Sequence, residues 1–202
     1  FRLPNTFRRL FAEGTFNAAF IPSYAGELAK SKLSADSFAK NVFNLLFIIL
    51  LFLVLLAEIF MPKLIFLIAP GFYKDPEKLK IAVDLSRITF PFLFFVSLAS
   101  FFGAILNSYN KFAAVAAAPI ILNVILIGSL FLSQLINLSQ VLSLSYAVSL
   151  AGFLQLVVLF FFVRKNFKPI LSIKIKINNK IKLFFKKLLP SIFSSGVTQI
   201  NI

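Results

Sequence analysis

The chain of 202 residues contains no cysteine and no histidine, and only 7 of its residues are Asp or Glu. Without cysteine there is no disulfide, no thiolate nucleophile and no thiolate metal site. Without histidine the commonest acid/base group and zinc ligand is missing too. Paired catalytic carboxylates, metal-ligand clusters and the glycine-rich loop that cradles nucleotide phosphates are likewise absent from the sequence, so this chain does not itself hydrolyse ATP. The expectation is a protein that is not an enzyme and holds no metal or cofactor. Any work it does on a solute draws on an ion or voltage gradient, or on a partner.

What is abundant is apolar surface. Hydrophobic residues make up 59% of the chain and the mean hydropathy is +0.93, against about 45–50% apolar residues in ordinary soluble domains. A helix needs roughly 20 apolar residues to cross about 30 Å of hydrocarbon, so this length holds about six spans with short loops and no large soluble domain. The fold class is therefore all-α, a polytopic transmembrane helix bundle. The 21 Lys and Arg against 7 acids give a net charge of +14, which in a soluble protein suggests nucleic acid. In a membrane protein it marks the cytoplasmic face, and nucleic acid is not an expected partner. The chain starts at Phe1 without a methionine and stops at Ile202 inside an apolar stretch; it reads as an internal piece of a longer polytopic protein.

Charge-free runs place the spans. Residues 112–163 form one such run, interrupted by a polar turn over 133–140, and give helices over 112–133 and 141–163. Residues 88–110 form a second run, in a helix expected over 81–107, and a third begins at Asn41 and gives a helix over 41–68. Residues 1–28 mix charged with apolar positions and read as a first, polar-faced helix, whereas 188–202 are the start of a further one. Ala69-Pro70-Gly71-Phe72 is a turn, and Asp75-Pro76-Glu77 carries a capping acid, a first-turn proline and a second acid, the marks of a helix start. Residues 164–187 alternate Lys with Ile and Asn and read as a basic linker. Thirteen Lys and Arg fall in loops on one side (Lys30, Lys32, Lys40, Lys111 and nine over 164–187) and four on the other (Lys63, Lys74, Lys78, Lys80). The richer side is expected to be cytoplasmic and to attract anionic membrane lipids.

An ionisable group within a span costs about 2.5–3.5 kcal/mol at mid-helix on insertion scales and marks function unless it reaches an interface. The first segment concentrates such groups. At 100° per residue Arg2, Asn5, Arg9 and Glu13 fall within about 80° of one another, and Arg8 lies about 100° from Arg9. Two roles are open to this face: lining a wet cavity where guanidinium forks hold phosphate oxygens, or snorkelling and pairing with Glu13. Pro4 and Gly14 favour a bent, cavity-lining helix. Asp84 and Arg87 read as an interfacial ion pair. The lone amides Asn123, Gln155 and Gln199 read as interhelical hydrogen-bond formers, and Ala113–Pro119 as a close-packing stretch.

The stretch RLPNTFRRLFAEGTFNAAFIPSYAGEL at 2–28 resembles the second transmembrane helix of the MurJ/MviN family, the lipid II flippases of bacterial cell-wall synthesis. APGF at 69–72, RITFPFLFFVSLASFFGAILNSYNKF at 87–112, AAAPIILNVILIG at 116–128, AGFLQLV at 151–157 and LLPSIFSSGVTQINI at 188–202 follow in the family's order. The resemblance implies a member of the multidrug/oligosaccharidyl-lipid/polysaccharide exporter superfamily, with about fourteen helices in two six-helix lobes plus two more. This chain would be part of the N-terminal lobe, from the second helix to the start of the seventh, with the 164–187 linker joining the lobes on the cytoplasmic side. It further implies transport of undecaprenyl-pyrophosphate-linked disaccharide-pentapeptide from the cytoplasmic to the periplasmic leaflet of the bacterial inner membrane, by alternating access, for peptidoglycan biosynthesis. The implied partners are lipid II, anionic lipids and a coupling ion. Arg8 matches the family's cavity arginine, ahead of the Arg9 favoured by ideal helix phase, because Pro4 disturbs the register. Arg2 matches a basic position and Glu13 the acid of the motif. Two alternatives stand beside this: a related exporter of other polysaccharide lipids or of drugs, and a non-transporting membrane remnant or scaffold.

Overall fold

A computed structural model describes residues 15–171, 181–186, 188 and 190. Six α-helices are defined among them: α1 (Thr15–Lys30), α2 (Lys32–Ile68), α3 (Pro76–Thr89), α4 (Pro91–Ser108), α5 (Phe112–Leu135) and α6 (Gln140–Val163), with a 3-10 turn over Pro70–Lys74 and no strand among the described residues. Residues 181–186 are helical as well.

Each boundary has a local cause. The Ser34 N–H donates to Ser31 Oγ at 3.1 Å, capping α2, so this helix starts at Lys32 and not at the expected Asn41. Its first turns bury Ala35, Phe38 and Ala39. At 1.5 Å per residue its 37 residues run about 55 Å, more than a bilayer core, and the charged N-terminal turns stand outside. Asp75 caps α3 by accepting from the Lys78 N–H at 3.2 Å, with Pro76 at its first position. Asn110 and Asn137 take left-handed conformations in the turns after α4 and α5, a region asparagine tolerates better than most residues.

Two helices are broken within the apolar region. In α2 Phe60 leaves the helical region (φ −98°, ψ 15°) and Pro62 follows. The expected helix over 81–107 instead comprises the last part of α3 and nearly all of α4, which meet at Phe90. Pro91 is the first residue of α4; lacking an N–H, it cannot continue the ladder of α3. α6 supports this junction, since the Ser149 hydroxyl donates to the Ile88 carbonyl. Gly152 lets the Phe92 ring lie close against the α6 backbone.

α4 is the centre of the bundle, packed on α1, α2 and α6. It carries no charged residue, and Leu93, Phe101, Ala104, Ile105 and Leu106 are inaccessible. Lipid is as apolar as these side chains, so close packing rather than water exclusion holds such helices together. Phe16, Phe20, Phe38, Phe43, Phe101 and Phe184 supply it as a contiguous set of stacked and edge-on rings, each such pair contributing about 0.5–1.5 kcal/mol. α5 is peripheral, with Ile120, Val124, Ile127 and Phe131 exposed along one face. Four spans, counting α3 and α4 as one of 33 residues, are long and apolar enough to cross a membrane.

Candidate functional site

Arg2, Asn5, Arg8, Arg9 and Glu13, the residues that the sequence marks for a cationic cavity, lie outside the described residues, as does Gln199. The helix that carries this segment onward is described from Thr15. α1 has two unlike faces. Phe16, Phe20, Tyr24 and Glu27 are buried, at the spacing of one helical stripe, against α2 and α4. Ala18, Pro22, Ala25, Gly26 and Ala29 are exposed on the opposite side. A Cβ added at Gly26 would meet nothing within 4 Å. The open side is therefore lined by small residues, and Pro22, inside the helix, sits on it where its missing N–H bends the chain with least steric cost.

At the C-terminal end of α1 a polar clasp joins three elements. Glu27, 7% exposed, accepts from Lys30 Nζ at 2.8 Å and from the Ser34 hydroxyl of α2. Tyr24 Oη lies 3.4 Å from Tyr109 Oη, beyond the end of α4. Lys111 Nζ donates to Asn166 Oδ1 at 2.7 Å, tying the α4–α5 turn to the segment after α6. Lys30, Lys32, Lys111, Arg164 and Lys165 thus share one end of the bundle. At the far end the Lys78–Asp75 pair closes at 3.0 Å on the surface. The Lys78 side chain, with its backbone N–H, holds the Asp75 carboxyl below its ordinary value.

Within the spans the charges behave differently. Asp84 and Arg87 are exposed, and no ion pair within 4.0 Å joins them among the described residues; the expected interfacial pair is not formed. Arg87 lies on α3, which packs against α2 where Glu58 is half-buried. One oxygen of Glu58 is buried without a hydrogen-bond partner, as are single atoms of Asn17, Asp36, Ser97 and Asn107. Gln155 is buried within α6, whereas Asn123 is exposed on the outer face of α5 and makes no hydrogen bond among the described residues. Between the outer parts of α2, α3, α5 and α6 lies a cleft of about 670 Å³, lined by Ile65, Leu85, Leu126, Val148 and other largely apolar groups. No group of three or more Asp or Glu that could hold a metal occurs among the described residues.

Sequence reading passed over Glu58 and the two breaks. A signal was present: each charged residue stands four positions before a proline, Glu58 before Pro62 and Arg87 before Pro91. In each case proline removes the N–H that would have bonded that residue's own carbonyl.

The whole chain, residues 1–202, matches the family model described as lipid II flippase MurJ. A probable lipid II flippase MurJ of Rickettsia prowazekii (strain Madrid E) is 43% identical over 203 residues, covering 100% of this chain and 40% of the relative. One of Rhizobium tropici is 40% identical over 207 residues, covering 100% of this chain and 39% of the relative. A solved structure of lipid II flippase MurJ in an inward closed conformation superposes with a TM-score of 0.75 at 30% identity, over 99% of this chain and 40% of that one. The chain thus spans about 40% of the length of the curated relatives it matches. With a family match over its full length, four membrane-crossing spans and the fold of a solved member, the chain belongs to the lipid II flippase MurJ family.

Proposed function

We infer that the protein carrying this chain moves lipid II from the cytoplasmic to the periplasmic leaflet of the bacterial inner membrane by alternating access, and that Arg8 holds the pyrophosphate of the head group. The observation that supports this is the two-faced packing of α1. Its aromatic stripe is buried and its small-residue stripe is open. Carried back along the sequence at 100° per residue, position 8 falls within about 60° of the centre of the open stripe, while positions 9 and 13 fall on the opposite side. This phase favours Arg8 over Arg9, as the motif match does, and by it Arg2, Asn5 and Glu13 fall with Arg9 on the side away from the open stripe.

The chemistry follows from the cost of moving a pyrophosphate across about 30 Å of hydrocarbon. A guanidinium offers a planar fork that bonds two phosphate oxygens at once and stays charged at any physiological pH. Small residues on the same stripe leave room beside it for a bulky disaccharide-pentapeptide. The apolar outer faces of α2 and α5 offer the polyprenyl tail a path in the lipid. The lysine-rich end sits at the cytoplasmic leaflet, where anionic lipids hold it, and the 164–187 linker joins this lobe to its counterpart.

Replacing Arg8 with Ala in the intact protein and following exposure of lipid II on the outer leaflet tests the reading. A charge-assisted bidentate contact is worth about 1.5–3 kcal/mol, so exposure should fall by about one to two orders of magnitude, with Arg8→Lys in between. Undiminished exposure with Arg8→Ala would remove Arg8 from the site.

A further inference from the structure

Counted along the helices, Glu58 and Arg87 lie at similar distances from the connection between the neighbouring elements α2 and α3. Glu58 lies about 15 Å along the axis from the end of α2 at Ile68, and Arg87 about 16 Å from the start of α3 at Pro76. Both elements break just beyond them, α2 at Phe60 and α3 at Phe90. Both breaks belong to one packing unit: Ala57 and Met61, which bracket the first, are in contact with the cluster that contains Val83, Phe90 and Leu93, which bracket the second. Pro62 and Pro91 free the carbonyls of Glu58 and Arg87 from their helical donors. Interrupted helices at membrane depth are where transporters place ion sites, and an acid at that depth is a functional group whose partner needs naming.

We propose that Glu58 is a proton-binding site at the junction of the two broken helices, and that loading and unloading it bends α2. As the anion, Glu58 is drawn to the Arg87 guanidinium across the helix pair. After taking a proton from water, the neutral acid loses that attraction and gains an O–H donor for a freed carbonyl. The same junction thus offers two mutually exclusive sets of bonds, one for each protonation state, and the non-helical Phe60 is where the backbone swings. In the structure no ion pair within 4.0 Å joins Glu58 to Arg87, and one carboxylate oxygen is buried unbonded.

Few other charges compete. α4, packed against α2, has no ionisable residue, the 3-10 turn has Lys74, and α1 has Glu27 and Lys30 at the opposite end. α3 carries Glu77, Lys78, Lys80 and Asp84 besides Arg87, and α2 itself carries Lys63, whose Nζ lies 5.3 Å from the Phe60 ring centroid. The site asks nothing of the substrate, so it stands or falls apart from the lipid II reading.

This chain supplies no cysteine, so in the intact protein, with any cysteine outside these residues replaced, labels can be placed directly at the kink. Spin labels on Phe52→Cys and Leu67→Cys, both exposed and on either side of the kink, report the bend in nanodiscs by distance distributions measured across pH. The expected result is a pH-dependent shift between two distances that is lost in Glu58→Gln, which holds the low-pH distance throughout, and is kept in Asp84→Asn. Arg87→Gln should move the midpoint to higher pH, because the carboxylate loses its stabilising cation. If Glu58→Gln does not yield folded protein, Glu58→Asp must keep the shift with a displaced midpoint. A wild type whose distances ignore pH, or a Glu58→Gln protein that still responds, would overturn the proposal.

Discussion

The two ends of this bundle are held together by different means. At the lysine-rich end Lys30 and Ser34 both donate to Glu27, Lys111 is bonded to Asn166, and the buried aromatic cluster of α1, α2 and α4 lies beside them. In the other half no ion pair within 4.0 Å joins Glu58 to Arg87 among the described residues, α2 is kinked, α3 and α4 are separate helices, and a smaller cluster of Val54, Ala57, Met61, Ile65, Val83, Phe90 and Leu93 joins them, with α6 bonded across the junction. The difference teaches where rigidity and motion lie. Interlocked rings and the Glu27 clasp fix the lysine-rich end, even though one oxygen of Asp36 there is also buried unbonded, whereas separated charges beside proline breaks leave the other half with more than one arrangement of similar energy.

If the broken half depends on α6 as a splint, the largest effect should come from pushing α6 away. A Cβ at Gly152 would lie 2.6 Å from Phe92 Cδ2 and 3.3 Å from Phe95 Cβ, and Phe92 is buried, without room to retreat. Gly152→Val is expected to cost about 3 kcal/mol, the upper part of the range for overpacking, read as a lower melting temperature in detergent. Gly128→Ala, where an added Cβ meets nothing within 4 Å, is the matched control. It should be neutral or stabilising by up to about 1 kcal/mol through helix propensity. Equal melting of the Gly152→Val and wild-type proteins would mean that the α3–α4 junction stands without α6.

The next effect comes from one substitution made at both ends. Glu27→Ala removes the acceptor of the Lys30 ammonium and of the Ser34 hydroxyl and should destabilise by about 1 kcal/mol, because the exposed Lys30 is resolvated. Glu58→Ala removes a carboxylate that lacks a full set of partners, so the fold should lose little and could gain stability in thermal unfolding. Similar losses at the two positions would erase the contrast between a clasped end and a hinged half.

Much of the fold was legible because a bilayer demands long charge-free runs, and α5 and α6 follow from them. The early start of α2 was not, since its first turns carry Lys32, Asp36 and Lys40 and project beyond the apolar layer that a charge-free run detects. Nor was the break at Phe90, because Pro91 is also compatible with a bent but continuous helix. Periodicity groups positions on a face but does not tell which face is covered. Asn123 was expected to hydrogen-bond between helices, yet α5 presents it outward. For the candidate site the position of Arg8 rests on the motif and on the phase of α1, with the residue itself outside the described part of the chain.

The smallest effect belongs to the surface of the hinged half, at the cap of α3. Asp75 accepts from the Lys78 N–H and faces the Lys78 ammonium, and these bonds hold its carboxyl below the ordinary value of 3.8. A carboxyl with a depressed value stabilises the folded state at pH values above its unfolded value, and that contribution is lost as pH falls through the folded one. Amide protection at Lys78, corrected for intrinsic exchange, should therefore exceed that of Asp75→Ala at pH 6 and converge with it in strong acid. Asp75→Asn keeps an acceptor at the cap, so it should hold an intermediate protection that does not change with pH over this range. Should the clasped end lose protection in step with this cap, the two halves would unfold as one unit, and the boundary drawn between them at Phe60 and Phe90 would have to move.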